Sequence, residues 1–312
     1  MTLNVLVSGG AGYVGSVLVP ALLSAGHRVR VLDNLMYGQR SLLHCFANRQ
    51  FEFVRNDMCD ESVLRRALDS VDLIIHLAAV VGEPACRRNP VLAHAVNYGA
   101  TELLNSLRGK DQKLIFASTT SNYGAQPDAC DEETPLKPLS EYGISKTKAE
   151  RLLLDAGNVV AYRFASAFGV SPRQRLDLVV NDFVWQAVKN GTLIVYESGF
   201  RRTFIHVQDM VRSFLFAVDR YSDLVDNVFN VGHEDLNYSK AEVARKIRGK
   251  RDFFLYFADT GSDPDRRDYE VSYQKIRAKG FTTTLTLDDG IDELIRGYEM
   301  ISLHNPYSNI EE

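Results

Sequence analysis

Cysteine is scarce in this chain, and the four that occur (Cys45, Cys59, Cys86 and Cys130) share no CxxC pairing and no metal-ligand spacing. Neither a disulfide framework nor a metal site is expected; idle thiols in a reducing compartment are. No apolar run approaches the roughly 18 residues of a membrane span. The N-terminus passes straight into a strand pattern, with no secretory leader ahead of it. Basic charge is short as well: 36 Lys and Arg stand against 40 Asp and Glu, for a net charge of -4. That balance excludes the broad cationic face that nucleic acid or an anionic membrane requires. Repeats, low-complexity tracts and Pro/Ser-rich linkers are absent too. The expectation is a cytoplasmic protein with no metal, nucleic-acid or membrane partner.

What is present alternates. At 312 residues the chain can bury a substantial core as one large domain or two modest ones. "LNVLVS" is a short, β-branched apolar run ended by glycines, and "YVGSVLVPALLSAG" follows with apolar residues at helical spacing and Gly26 at its C-cap. "HRVRVLD", "FEFVRND", "VDLIIHLAA", "KLIFAS" and "NVVAYRFA" read as further strands, and a long helical pattern enters through Pro90. Apolar strands alternating with helices are the mark of an α/β, doubly wound parallel sheet covered on both faces. After about residue 165 the rhythm loosens. We expect a Rossmann domain over 1–165 and a smaller α/β substrate lobe over 166–312, partly interleaved with it. The tail "HNPYSNIEE" reads as frayed.

"SGGAGYVGS" carries Gly9, Gly12 and Gly15 between a strand and a helix, the context in which such a turn admits a pyrophosphate at a helix N-terminus. Asp33 ends the second strand, where a carboxylate accepts from adenosine ribose hydroxyls and repels a 2′-phosphate. That favours NAD over NADP, with Arg40 as a counter-signal. Asp57-Met58 closes the third strand at a place suited to the adenine, although Asp57 could instead cap the next helix.

"FASTTS" ends a strand in hydroxyls, at the sheet edge where ligands of this architecture bind. "SEYGISKTKAERLLL" then reads as a helix with Tyr142 and Lys146 on one face. A free phenol has a pKa of about 10, and a neighbouring ammonium lowers it toward the working range. A phenolate so placed can take the proton of an alcohol whose carbon gives up hydride, while a strand-end hydroxyl holds the oxygen. His76 and His206 lie in apolar, strand-like runs and read as core histidines.

The stretches "GGAGYVGS", "LDN", "HLAA", "STTSNYG", "YGISK" and "RRTFIHVQD", with "ND" at 56–57 and "VN" at 96–97, resemble the extended short-chain dehydrogenase/reductases that act on nucleotide sugars. The resemblance covers essentially the whole chain. In relatives such as UDP-galactose 4-epimerase the catalytic Ser/Thr precedes the Tyr of a Tyr-Gly pair, which here selects Thr119. The resemblance implies Thr119, Tyr142 and Lys146 as catalytic residues, the last two also touching the cofactor. It implies a cofactor wall of Tyr13, Val14, Asn34, Leu77, Ala78 and Ala79 beside the glycines, Asp33, Asp57 and Met58, with Asn97 as a structural asparagine in the same set. Arg202 matches the arginine that pairs with the substrate diphosphate, and Arg267 is a second match for which Arg266 could stand in. Glu83 and Thr120 are further substrate candidates. "SPRQRLD" is expected along the base and ribose, with Arg173 and Arg175 unassigned.

Departures from the family narrow the chemistry. Its 4,6-dehydratases follow the catalytic Ser/Thr with an acidic residue or pair, whereas Thr120 and Ser121 stand here. The fucose-synthase type places a cysteine in this neighbourhood, and none is present. Chemistry confined to C4 is left. "DNLMYGQRSLL", "CRRNP" and "SPRQRLDLVVNDF" resemble bacterial enzymes that oxidise C4 of GDP-linked heptoses for surface polysaccharides. The resemblance thus implies an NAD-dependent C4 dehydrogenase of GDP-D-glycero-D-manno-heptose, and by analogy a homodimer. The alternatives are a 4-epimerase of a UDP- or GDP-hexose and a non-catalytic dinucleotide sensor.

Overall fold

The computed structural model describes residues 1–259 and 268–301. Its strands are β1 (Asn4–Ser8), β2 (Arg28–Asp33), β3 (Phe51–Arg55), β4 (Leu73–His76), β5 (Lys113–Thr119), β6 (Val159–Phe164), β7 (Ser166–Phe168), β8 (Thr192–Tyr196), β9 (Arg201–His206), β10 (Asn227–Val231), β11 (Asn237–Ser239) and β12 (Phe254–Ala258). The helices are α1 (Gly15–Ser24), α2 (Glu61–Ala67), α3 (Glu83–Arg88), α4 (Pro90–His94), α5 (Ala100–Leu107), α6 (Glu141–Ala156), α7 (Val179–Trp185), α8 (Val207–Asp219), α9 (Tyr221–Leu224), α10 (Lys240–Lys250), α11 (Gln274–Ala278) and α12 (Leu287–Gly297).

Seven strands form one sheet in the order β10-β6-β5-β4-β1-β2-β3, and every pairing is parallel. The order reverses between β1 and β4, so the crevice of a doubly wound sheet opens beyond the carboxyl ends of those two strands. Their unbroken apolar character is explained by burial: β4 and β6 are enclosed along their whole length, because helices cover both faces. One strand of this sheet comes from far along the chain. β10 pairs with β6, Asn227 opposite Val160 through Val231 opposite Phe164, so the first lobe draws on residues well past 165.

The remaining strands make two small sheets, β11-β9-β7 and β12-β8. With α7, α10 and α12 they enclose a separate apolar cluster around Phe168, Phe204, Leu193, Ile247 and Leu294. The segment after β7 laces this lobe to the first glycine turn. Tyr13 donates its hydroxyl to the Gly169 carbonyl at 2.7 Å, Ser171 donates to the Tyr13 carbonyl at 2.6 Å, and the two hydroxyls of Ser16 and Ser171 lie 2.9 Å apart. No helix among the described residues is long and apolar enough to cross a membrane.

Local signals set the element that matters most for the site. Ser140 caps α6, accepting from the Gly143 amide at 3.0 Å, and Gly157 ends it at φ 77°. The stretch at 83–88 forms the short helix α3 behind Gly82.

Candidate active site

A cleft of about 500 Å³ lies at the carboxyl edge of the sheet, between the two lobes. Its wall at the first turn is nearly all backbone: Gly9, Gly12 and Gly15 line it, with Tyr13 and Val14. Gly9 is required there on two counts. Its φ is +69°, and a Cβ would lie 2.7 Å from the Ala78 backbone. The N-terminus of α1 therefore opens onto the cleft beside a glycine turn, an arrangement in which a helix dipole and backbone amides can receive a pyrophosphate. Leu77, Ala78 and Ala79 line the neighbouring wall at the end of β4.

Beyond the turn, Asp33 and Asn34 line the same wall, and so do Asp57 and Met58 at the end of β3. Asp33 accepts from the Ala11 amide at 2.9 Å, the Leu35 amide at 2.8 Å and Gln39 at 3.3 Å. Burial pushes its carboxyl upward, and the two amides pull it back. Asp57 does not cap α2; Asp60 does, accepting from Val63. Asp57 is instead held below the usual carboxylate range: burial opposes this, but the Cys59 amide and the Asn34 side chain outweigh it. Arg40 is exposed and off the cleft wall. The cation acting on Asp33 is Arg173, whose guanidinium stacks on Tyr37 with 4.6 Å to the ring centroid.

This arrangement predicts the choice of dinucleotide. NADH should bind more tightly than NADPH, and Asp33→Asn should narrow the ratio about tenfold, roughly 1.4 kcal/mol, because the charge that repels a 2′-phosphate is removed while the Arg173 cation stays beside it. Fluorescence titration of both cofactors checks it. Equal affinities in the unaltered protein would assign the discrimination to another group.

At the other end of the cleft, Thr119, Tyr142 and Lys146 all line the wall. Thr119 is the last residue of β5; its Oγ1 accepts from the Ser121 amide at 3.1 Å and donates to Ser121 Oγ at 3.0 Å. Lys146 is 2% exposed, its ammonium 3.9 Å from the centroid of the Phe116 ring. Burial pushes it down to about 7, with the Glu150 carboxylate pulling upward. An ammonium so poorly solvated is an effective partner for a phenolate and is easily titrated.

Three expected residues do not line this wall. Thr120 is not on the wall: its hydroxyl turns back to the Phe164 carbonyl (3.2 Å) and Tyr269 (3.0 Å), and Ser121 takes the lining position. The reason is the tight turn at Thr120–Tyr123, which rotates successive side chains apart. Asn97 is buried behind the wall, where it brackets Val80, accepting from its amide at 2.7 Å and donating to its carbonyl at 3.0 Å. It shapes the loop after β4 without facing the cleft. Arg202 is 1% exposed in β9, the middle strand of its sheet, and its Nη1 donates to the Arg201 carbonyl. Enclosure in that lobe keeps it off the cleft wall. Arg267 and Arg266 lie outside the described residues.

Glu83 does line the cleft, with one oxygen 3.1 Å from Arg87. His76 is locked between Ser8 (2.7 Å) and Thr101 (2.9 Å), and burial pushes it down to about 3. His206 bonds Glu293 at 2.6 Å and caps α8. Both are structural. The sequence reading left several cleft residues unassigned: Tyr37, Arg173, Arg175, Asp177, Asp182 and Lys240. Arg175 is clamped by Asp177 at 2.6 and 3.1 Å, and burial pushes Asp182 up to about 6.

A glycine turn opening a helix, an acidic strand end beside it, and a hydroxyl–tyrosine–lysine wall in one cleft define a nicotinamide-dependent oxidoreductase of Rossmann type. The chain belongs to the NAD dependent epimerase/dehydratase family, whose model matches residues 5–232. It is similar to UDP-glucuronic acid decarboxylase 1 of Arabidopsis thaliana, 29% identical over 314 residues, covering 95% of this chain and 70% of that protein. A dTDP-glucose 4,6-dehydratase of Actinoplanes sp. is 29% identical over 318 residues, with 95% and 98% covered. The solved structure of the UDP-glucose 4-epimerase of Thermus thermophilus, complexed with NAD, matches at a TM-score of 0.84 and 26% identity, covering 96% of this chain and 100% of that one. NAD is the cofactor, and these relatives are enzymes of nucleotide sugars. The relatives' names span decarboxylation, dehydration and epimerisation, so family membership alone leaves the outcome at the sugar open.

Proposed function

We propose that this enzyme oxidises C4 of a nucleotide-linked sugar, with GDP-D-glycero-D-manno-heptose as the favoured substrate and the 4-keto sugar as product. The observation that carries the reading is the shared wall of Thr119, Tyr142 and Lys146, with Ser121 as its next polar neighbour. Bound NAD supplies the hydride acceptor. Tyr142 takes the C4 hydroxyl proton, Thr119 holds that oxygen, and the Lys146 ammonium favours the phenolate. β-Elimination needs a carboxylate beside the reacting carbon, and the turn after Thr119 offers hydroxyls instead. Dehydration is disfavoured on that ground.

A 4-epimerase is the second reading, supported by the likeness to the Thermus enzyme. The two outcomes separate by isotope. With substrate deuterated at C4, the proposal expects a keto product that has lost both the deuterium and the hydroxyl proton, read by mass spectrometry. A C4 isomer of unchanged mass, still carrying deuterium, would establish epimerisation. Turnover of a UDP-hexose and of no GDP-sugar would overturn the substrate while leaving the chemistry in place.

A further inference from the structure

The strand end that carries Thr119 is tied to α6 by one buried carboxylate. Ser118, the residue before Thr119, donates its hydroxyl to Glu150 Oε2 at 2.5 Å. Asn122, the residue after Ser121, donates to the same oxygen at 3.3 Å and to Ser118 Oγ at 3.2 Å. Glu150 is 1% exposed and is met from β6 by Arg163, whose Nη2 lies 2.6 Å from Oε1 and whose Nε reaches both oxygens at 3.1 and 3.2 Å. Arg163 is held in turn by the Tyr123 hydroxyl at 3.0 Å and the Glu132 carbonyl at 3.3 Å. Tyr142, Lys146 and Glu150 follow one another at single-turn intervals and share a face of α6.

We propose that Glu150 is a positioning residue for catalysis: pinned by Arg163, Ser118 and Asn122, its carboxylate ties the end of β5 to α6 and sets a fixed negative charge one helical turn from Lys146. The inference rests on the reading of Tyr142 and Lys146 as the proton-handling pair. The groups facing Lys146 limit what else could serve. On α6 these are Tyr142 and Glu150, and Glu150 is the charged side chain that raises the lysine. β5 offers the Phe116 ring and no charge, and His76 on β4 is neutral at working pH. Arg163 on β6 has the wrong sign and is engaged by Glu150. An isolated carboxylate would be mobile and solvated; this one is held by donors on two strands, a fixed negative charge in a medium where it acts strongly.

The sign of the effect is definite. Lys146 is charged below its midpoint near 7 and neutral above it. Removing the Glu150 charge moves the midpoint down, so the ammonium is lost at neutral pH. The test is an NMR titration of NAD-loaded protein labelled with [ε-13C]lysine, the Lys146 resonance being assigned by its absence in Lys146→Met. Glu150→Gln should lower the midpoint by at least about one pH unit, and Glu150→Asp, which keeps the charge, should restore most of it. An unshifted midpoint in Glu150→Gln overturns the proposal. Should that variant fail to fold because Arg163 is left unpaired, Glu150→Gln with Arg163→Met is expected to show the same downward shift, and its absence counts equally against the proposal. Tyr142→Phe, assayed with GDP-D-glycero-D-manno-heptose, separates the two readings. Full activity in that variant overturns the underlying site, whereas an inactive Tyr142→Phe with an unshifted Lys146 overturns the role of Glu150 alone.

Discussion

Tyr142→Phe should load with NAD as the unaltered protein does and lose at least about 10²-fold in turnover, the usual worth of a general base. Phenylalanine fills the same space in the first turn of α6, so the cleft, the Ser140 cap and the packing against Val80 and Cys86 are kept. Only the hydroxyl goes. Because Lys146 stays beneath it, the variant has a charge with no phenolate to support, and raising the pH should not rescue it. Single-turnover formation of reduced cofactor, followed by absorbance across pH 6–9, measures this. Turnover above a tenth of the unaltered rate would remove Tyr142 from the mechanism.

Gly15→Val is expected to be the most damaging change at the cofactor end. A Cβ on Gly15 would stand 2.4 Å from the Gly10 carbonyl oxygen and 2.5 Å from the Gly10 Cα. Both are backbone atoms of the turn, which can yield only by moving the segment that faces the dinucleotide. Overpacking of this kind costs about 1–3 kcal/mol, and here the relaxation also distorts the N-terminus of α1. The purified variant should carry no NAD and melt several degrees lower. Gly249→Ala in α10 is the control, because nothing lies within 4 Å of its added Cβ, and a helical alanine should be neutral or slightly stabilising. A Gly15→Val protein with full NAD content and unchanged melting temperature would show that the turn tolerates bulk.

The first lobe was legible because its strands are enclosed on both faces, which leaves unbroken apolar runs, and because glycine has few substitutes where φ is positive and backbone meets backbone. Tyr142 and Lys146 were legible through spacing, which puts them on one helix face, whereas Thr119 was singled out from its neighbouring hydroxyls by the family resemblance; all three line one wall. Thr120 was misplaced because four hydroxyls in a row carry no mark of which one the turn after β5 aims outward. Arg202 matched a motif, yet its environment depends on β9 lying between β7 and β11, a pairing with weak sequence signals. Lys240 and Asp182 reach the cleft from the first turns of α10 and α7, helices whose patterns look like any other amphipathic segment. Glu150 belongs to the same class of omission. In the sequence it is one more polar residue on a helix, and only the fold reveals that Arg163, Ser118 and Asn122 converge on it.

The late arrival of β10 has a consequence for biosynthesis. As the chain is made from its N-terminus, the first six strands can assemble while β6 has no neighbour on its outer side. That strand, Val159 to Phe164, is wholly buried in the finished protein, so during synthesis it presents an apolar row with open amides and carbonyls. Asn227–Val231 emerges only after the intervening residues, several seconds at ~5–20 residues per second. For that interval the nascent chain carries an unprotected edge of the kind that templates aggregation. A fragment ending at residue 165 would carry it permanently. The segment before residue 165 is therefore not a detachable module: the edge of its sheet is covered by residues that come, in order of translation, some sixty positions later.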